Sequence, residues 1–261
     1  LLASSAASDV YKRQIRKHIK IEPARWYMHC DREGILVWQD LPSPNLPSGY
    51  EDYAKKNFED ESKRIITAFR NHPSIIQWVV FNEGWGQFDT ERMTQIVISE
   101  VGQSLVCCAS GWVDAPIGDI KDSHSYPNPS CPLDETRAGV CGEYGGITLK
   151  VQGHIWPGGD FQYTTVETGK DFTVLFNNLA DKVIDHYYYG LNAAVYTQLS
   201  DVEIEKNGIY TYDRRVLKPY SATGELKTKI EECINLPQSG IKVKPILSTA
   251  KEHKYKWRYT T

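Results

Sequence analysis

The stretch from Ile75 to Gln87 limits the fold more than any other part of the chain. A run of β-branched and aromatic side chains, too short for a helix and stopped by Gly84 and Gly86, reads as a buried parallel strand ending at Asn82-Glu83. A carboxylate at such a tip, beside an amide and beneath the rings of Trp78 and Trp85, is poorly solvated, and desolvation favours its protonated form. Glu83 therefore suits a general acid. The alternative reading is a strand-end Glu paired with a nearby Lys or Arg.

The flanking sequence repeats a strand-then-helix alternation. Ile15 to Lys20 alternates like a strand, Pro23 suits a helix first turn, and Trp26, Tyr27 and Cys30 recur at helical spacing up to a stop at Gly34. Ile35 to Asp40 is the next strand. A Pro-rich loop then leads into an amphipathic helix from about Glu51 to Arg70, with Tyr53, Phe58, Ile65, Ile66 and Phe69 expected on its buried face. After the Glu83 strand, Asp89 or Thr90 caps a helix carrying Met93, Ile96, Val97 and Val101, and Leu105 to Ala109 reads as a strand. Ile120 to His124, Gly139 to Glu143 and Ala193 to Leu199 supply further strands. The last two are separated by a glycine-rich loop and a helix with Phe172, Leu175, Phe176, Leu179, Val183 and Ile184 inward.

Seven strands, each followed by a helix or long loop, approach the ~250 residues of a (β/α)₈ TIM barrel, with one strand missing. A doubly wound open sheet has the same alternation. There is no glycine-rich phosphate loop after the first strand, however, and the chemically interesting residues fall at strand C-termini, so an incomplete α/β barrel is the expectation.

Composition excludes more than it assigns. A chain of 261 residues, 41% hydrophobic, can bury a full core, and a net charge of -3 supplies no broad basic field for nucleic acid. No apolar run approaches the length of a membrane span, and the leader Leu1 to Ser8 lacks a basic segment followed by a long apolar core, so no signal peptide is read and the compartment stays open. The six cysteines form no CxxC pair and have no His at metal-ligand spacing, so neither zinc nor a disulfide framework is indicated, and the expected chemistry requires no metal, nucleotide or other cofactor. Sixteen Tyr and seven Trp are compatible with a sugar ligand, although rings also serve packing.

Glu143 is the second carboxylate at a strand tip, and two such groups facing each other across a barrel mouth are the equipment of a retaining glycosidase. The segments Asn82-Glu83-Gly84-Trp85-Gly86, Gly142-Glu143-Tyr144-Gly145-Gly146 and Tyr196 to Glu203 resemble the catalytic domain of glycoside hydrolase family 2, the β-galactosidase and β-glucuronidase family. Arg16 to Trp26 and Gly34 to Pro42 resemble the second and third strands of that family's barrel, and the likeness runs from residue 15 to about 220.

The resemblance implies Glu83 as acid/base on the fourth strand, preceded by a sugar-binding Asn82, and Glu143 as nucleophile on the seventh. It implies substrate-facing roles for Arg16, His18, His124 and Tyr126. His18 stands outside the family's usual Arg-x-x-His-x-Pro spacing, and both His18 and His124 have a structural alternative. Trp156 is either a platform for a pyranose ring or a seal between its loop and the barrel. The resemblance also implies domains before the barrel and a first strand that residues 1–14, read as a non-native leader, do not supply; residues 221–261 read as a linker and the start of a truncated domain. The expected activity is that of a retaining exo-β-glycosidase on β-galactosides, with a carbohydrate as partner and neither nucleic acid nor membrane. The alternatives are a β-glucuronidase or β-mannosidase, or an inactive carbohydrate-binding or assembly fragment.

Overall fold

Alternation of short apolar strands with amphipathic helices produces parallel strands, because a helix must carry the chain back before the next strand can pair. The computed structural model describes residues 14–43 and 51–219, together with Lys229. Its principal elements are β1 (Gln14–Lys17), α1 (Ala24–Glu33), β2 (Leu36–Asp40), α2 (Asp52–Phe69), β3 (Ile75–Asn82), α3 (Thr90–Val101), β4 (Leu105–Ser110), β5 (Ile120–Ser125) and β6 (Ala138–Gly145). Two short strands, β7 (Ile147–Thr148) and β8 (Thr164–Thr165), precede α4 (Gly169–Tyr188) and β9 (Ala193–Thr197).

The strands form a sheet in the order β1-β2-β3-β4, a second in the order β5-β6-β9, and a minor β7-β8 pair, and every pairing is parallel. This is an α/β fold whose sheets are small and not closed on each other by backbone pairing among the described residues. Between β1 and β9 the link is a side chain, with Gln14 Nε2 donating to the Ala194 carbonyl at 3.2 Å.

Side-chain alternation divides each strand between two cores. Trp78, Val80, Val106 and Cys108 face outward to meet Tyr27, Phe58, Ile66, Met93 and Val97 from the helices. The residues between them point the other way: Val79 and Cys107 join Trp38, Ile120 and Val140 in a cluster drawn from both sheets. Strands buried on both faces explain why Trp78 to Phe81 is a continuous apolar run. A third cluster packs Phe172, Phe176 and Leu179 of α4 on Cys141 and Tyr144 of β6.

Local signals behave as their chemistry dictates, with three corrections. Gly34 ends α1 at φ 67°, the left-handed position where glycine carries no Cβ penalty. Tyr53, expected on the buried face of α2, is 77% exposed, because at 3.6 residues per turn it falls on the side of the helix opposite the buried stripe of Phe58, Ser62 and Ile66. Asp89 stands at the start of α3 but makes no side-chain cap bond. Trp78 lies in the outer core, so it does not cover Glu83. Cys30, Cys107, Cys108, Cys131 and Cys141 are free thiols, the first three and the last buried. No helix among the described residues is long and apolar enough to cross a membrane. The expected leader and the expected C-terminal linker and domain start fall almost wholly outside the described residues.

Candidate active site

Glu83 is the first residue beyond β3. It adopts φ 53°, an uncommon conformation for a residue with a side chain, and its N–H is held by the Ser110 carbonyl at 2.8 Å. The end of β4 comes this close because Gly111, at φ +108°, has no Cβ; one placed there would lie 3.0 Å from Glu83 Cγ and 3.3 Å from His124 Nδ1. Glu143 projects from β6 opposite His124 of β5, across a register shift that makes Gly142 a bulge.

Arg16 ties the strand ends together. A guanidinium has five N–H donors and no acceptor. Nε and Nη2 donate to Asp40, with Nη2 to Oδ2 at 2.8 Å; Nη2 also donates to Asn82 Oδ1 at 2.8 Å; Nη1 donates to Glu143 Oε1 at 2.9 Å and lies 3.1 Å from His124 Nε2. Every donor is committed, and β1, β2, β3, β5 and β6 are bound through one side chain. Burial opposes the charge on Asp40, but Arg16, followed by His18, outweighs it and holds that carboxyl below the usual range.

The two tip carboxylates have different surroundings. Glu143 is gripped at both oxygens, Oε1 by Arg16 and Oε2 by the Tyr126 hydroxyl at 2.5 Å. Glu83 accepts at Oε1 from His124 Nδ1 at 2.7 Å, and burial raises its pKa against the weaker opposing pull of His18, Arg16 and Trp85. Burial also pushes His124 down to about 4, which keeps the imidazole neutral near pH 7. Nη1 of Arg16 can only donate, so Nε2 facing it is the acceptor and Nδ1 carries the hydrogen given to Glu83.

Of the residues singled out in the sequence, Glu83, Glu143, Asn82, Arg16, His124 and Tyr126 converge in this network. His18 reaches its rim half-exposed, Nδ1 lying 3.3 Å from Asp40 Oδ2 and 3.8 Å from Glu143 Oε1. Trp156 does not join it: its ring meets Tyr212 edge-on at 5.3 Å, and among the described residues it has no ring contact with the cluster. The aromatic neighbours are instead Tyr163, stacked on Tyr126 at 3.7 Å, and Trp112, edge-on to His124 at 5.9 Å and 62% exposed. Sequence reasoning also missed Asp40, Ser110 and Asp122. Asp40 sits at a strand tip just as Glu83 does, and Asp122 stands two residues before His124 on the same strand face, so position and period-2 spacing were available signals.

Ligating atoms of Glu83, His124 and Glu143 lie within 4.8 Å of one another. A cation has the distances it needs there, but the Arg16 guanidinium already supplies positive charge to Glu143 and opposes a second cation. What the arrangement can do is proton transfer and nucleophilic attack: one carboxyl held with raised proton affinity, and another held as an acceptor between a cation and a phenol.

No protein-family model matches the chain. Among curated proteins it is similar to β-mannosidase B of Emericella nidulans, 32% identical over 75 residues that make up 28% of this chain and 9% of that protein. A putative β-glucuronidase of Formosa agariphila is 36% identical over 73 residues, 26% of this chain and 7% of that one. The β-galactosidase large subunit of Lactobacillus acidophilus is 27% identical over 124 residues, 40% of this chain and 19% of that one. Among solved structures, the GH2 β-galacturonidase of Eisenbergiella tayi bound to galacturonate superposes with a TM-score of 0.64 at 16% identity, covering 86% of this chain and 45% of that one. The chain carries a domain like that of glycoside hydrolase family 2. The β-glucuronidase of Bifidobacterium dentium complexed with coumarin-3-O-glucuronide shares the fold, with a TM-score of 0.59 at 18% identity over 88% of this chain and 42% of that one. The family 2-like domain therefore spans under half of the solved enzymes it matches, and under a fifth of the curated relatives. Those relatives and neighbours are glycoside hydrolases.

Proposed function

We propose that the chain is the catalytic part of a retaining exo-β-glycosidase that cleaves terminal β-glycosidic bonds by double displacement. Glu83 protonates the leaving oxygen while Glu143 attacks the anomeric carbon; Glu83, now ionised, then takes a proton from water as it hydrolyses the glycosyl ester. The observation that carries this reading is the close approach of the two carboxylates, with oxygens within 4.8 Å of each other. Retaining enzymes place their carboxyl groups about 5–5.5 Å apart, whereas inverting ones leave ~6.5–9.5 Å for a water.

In this reading residues 15–220 form a (β/α)₈ barrel in which β1 to β6 and β9 stand as the second to eighth strands, and the interior cluster of Trp38, Val79, Cys107, Ile120 and Val140 is the barrel's packed centre. Asn82 contacts the sugar through its amide, with Tyr126 and His18 at the same rim. Trp112 and Tyr163 replace Trp156 as the rings nearest the bond.

A β-galactoside is the proposed substrate class. A uronate needs a cation for its carboxylate, and the guanidinium bonded to Glu143 has all five N–H groups committed to protein partners, which favours an uncharged hexose over the acidic sugars bound by the solved neighbours. Aryl β-galactoside, β-glucuronide and β-mannoside assayed side by side test the specificity, and proton NMR of the first-formed sugar tests the mechanism. The β-anomer appearing first is expected. The α-anomer appearing first overturns double displacement, and sugar binding with no turnover of any glycoside replaces the enzyme with a carbohydrate-binding module.

A further inference from the structure

A line of hydrogen bonds leaves Glu83 and ends in the protein interior. His124 Nδ1 lies 2.7 Å from Glu83 Oε1, Ser110 Oγ 2.7 Å from His124 Nε2, and the same Oγ 2.5 Å from Asp122 Oδ2. Asp122 is only 3% exposed, and its other oxygen accepts the Gly142 N–H at 2.6 Å, one residue before Glu143. Gly142 makes room for it: a Cβ at that position would fall 2.2 Å from Asp122 Oδ2. A buried carboxyl thus touches the backbone that sets Glu143 and begins the line that reaches Glu83.

The hydrogens on such a line have two self-consistent placements. In one, Ser110 donates to an ionised Asp122, His124 donates from Nε2 to Ser110, and a protonated Glu83 donates to Nδ1. In the other, a protonated Asp122 donates to Ser110, Ser110 donates to Nε2, and Nδ1–H donates to an ionised Glu83. Passing from the second to the first moves three hydrogens one bond each. Asp122 loses a proton, Glu83 gains one, and the imidazole stays neutral while exchanging tautomers.

We propose that Asp122 and Glu83 share one exchangeable proton along this line, making Asp122 the buried reserve of the acid/base carboxyl and Ser110 and Asp122 positioning residues for it. The proposal rests on Glu83 acting as the acid/base residue. Burial raises Asp122 to about 7 and raises Glu83 above the usual carboxyl range as well, while it lowers His124 to about 4, so both ends of the line favour holding a proton and the middle relays it without taking charge. The other titratable groups facing Asp122 are Arg16 of β1, Cys107 of β4, and Cys141 and Glu143 of β6, with Asp40 of β2 behind Arg16. Burial keeps both thiols neutral. With the proton on Asp122 the one Nε2 lone pair is shared by the Ser110 O–H at 2.7 Å and Arg16 Nη1 at 3.1 Å, whereas with it on Glu83 an Nε2–H would face Nη1, so the Arg16 contact favours the first placement and its loss favours transfer to Glu83.

The test is carboxyl ¹³C and imidazole ¹⁵N NMR of the full chain across about pH 4 to pH 9, a span covering the ordinary carboxyl and imidazole range. The Glu83 and Asp122 resonances are expected to move together through two shared steps, with the two ring nitrogens of His124 changing places in step and the ring staying neutral. Asp122→Asn keeps an acceptor for Gly142 and a donor for Ser110 but cannot exchange the proton, so Glu83 should lose its second step. Ser110→Ala, which removes one buried oxygen, should give the same loss. A Glu83 curve unchanged in both variants, or ring nitrogens that stay still while Glu83 titrates, overturns the proposal. Turnover is not read, so shared titration in a chain that cleaves no glycoside would leave the line standing and remove only the role assigned to Glu83.

Discussion

Glu83 and Glu143 are the same side chain in two environments, and the difference is in what their oxygens touch. Glu143 accepts from a guanidinium and a phenol, whereas Glu83 accepts from a neutral imidazole in a buried position that raises its proton affinity. Chemical rescue separates the proposed roles. Glu143→Ala removes the attacking oxygen, so turnover should vanish for every leaving group. In Glu83→Ala, an aryl leaving group that departs without protonation still glycosylates Glu143; deglycosylation then stalls by the ~10²–10⁴-fold that general base catalysis is worth, and azide should release a β-glycosyl azide. An α-glycosyl azide from the Glu143 variant, with none from the Glu83 variant, would exchange the two roles. Both carboxylates were legible in the sequence because each stands at or near the C-terminal end of a buried strand, Glu83 just beyond β3 and Glu143 two residues before the end of β6. Arg16 was legible only as a polar group near the sugar: nothing local shows that Asp40, Asn82, Glu143 and His124 from four other strands would use up its donors.

At the scale of elements, two glycines that look alike in sequence carry different constraints. Gly34 follows α1 at φ 67° with open space where a Cβ would go, so Gly34→Ala meets only the left-handed backbone and should cost about 1–2 kcal/mol. Gly142 lies inside β6, where a Cβ would strike Asp122 Oδ2 at 2.2 Å. Gly142→Ala should cost about 1–3 kcal/mol from overpacking and also lower turnover, because the displaced carboxyl holds both the Gly142 N–H and Ser110. Urea unfolding combined with an aryl glycoside assay distinguishes the two; equal losses of activity would remove Gly142 from the site's support. The helices and main strands were readable from periodicity and from stops such as Gly34. Tyr53 was misplaced although the period was available: it falls on the side of α2 opposite Phe58, Ser62 and Ile66, and only its aromatic ring suggested burial. The bulge at Gly142 was hidden as well, since it depends on register with β5 rather than on β6 alone.

For the whole molecule, the question is what makes two sheets act as one. No strand ladder joins β4 to β5 or β1 to β9 among the described residues, so their union rests on the shared interior cluster, on a backbone contact in which the Asp119 N–H just before β5 donates to the Val106 carbonyl of β4 at 2.8 Å, and on side chains that cross between sheets. Arg16 is the most connected of these: it leaves β1 in the first sheet, pairs with Asp40 and Asn82 there, and reaches Glu143 in the second. Arg16→Ala would leave Asp40 buried without its guanidinium, a loss of about 3–5 kcal/mol for a broken buried pair. Arg16→Lys keeps the charge but not the fork, so it should recover only part of that. If the sheets are coupled through this residue, hydrogen exchange should quicken in β6 as well as in β1 and β2, with α1 and α2 less affected because the outer core of Tyr27, Phe58, Ile66 and Trp78 does not include Arg16. Faster exchange confined to β1 and β2 would instead mean that the interior cluster and the backbone contact from Asp119 to Val106 join the sheets without Arg16. In that case the two carboxylates would keep their approach without Arg16, and the variant should lose stability while retaining the pH profile of its remaining turnover.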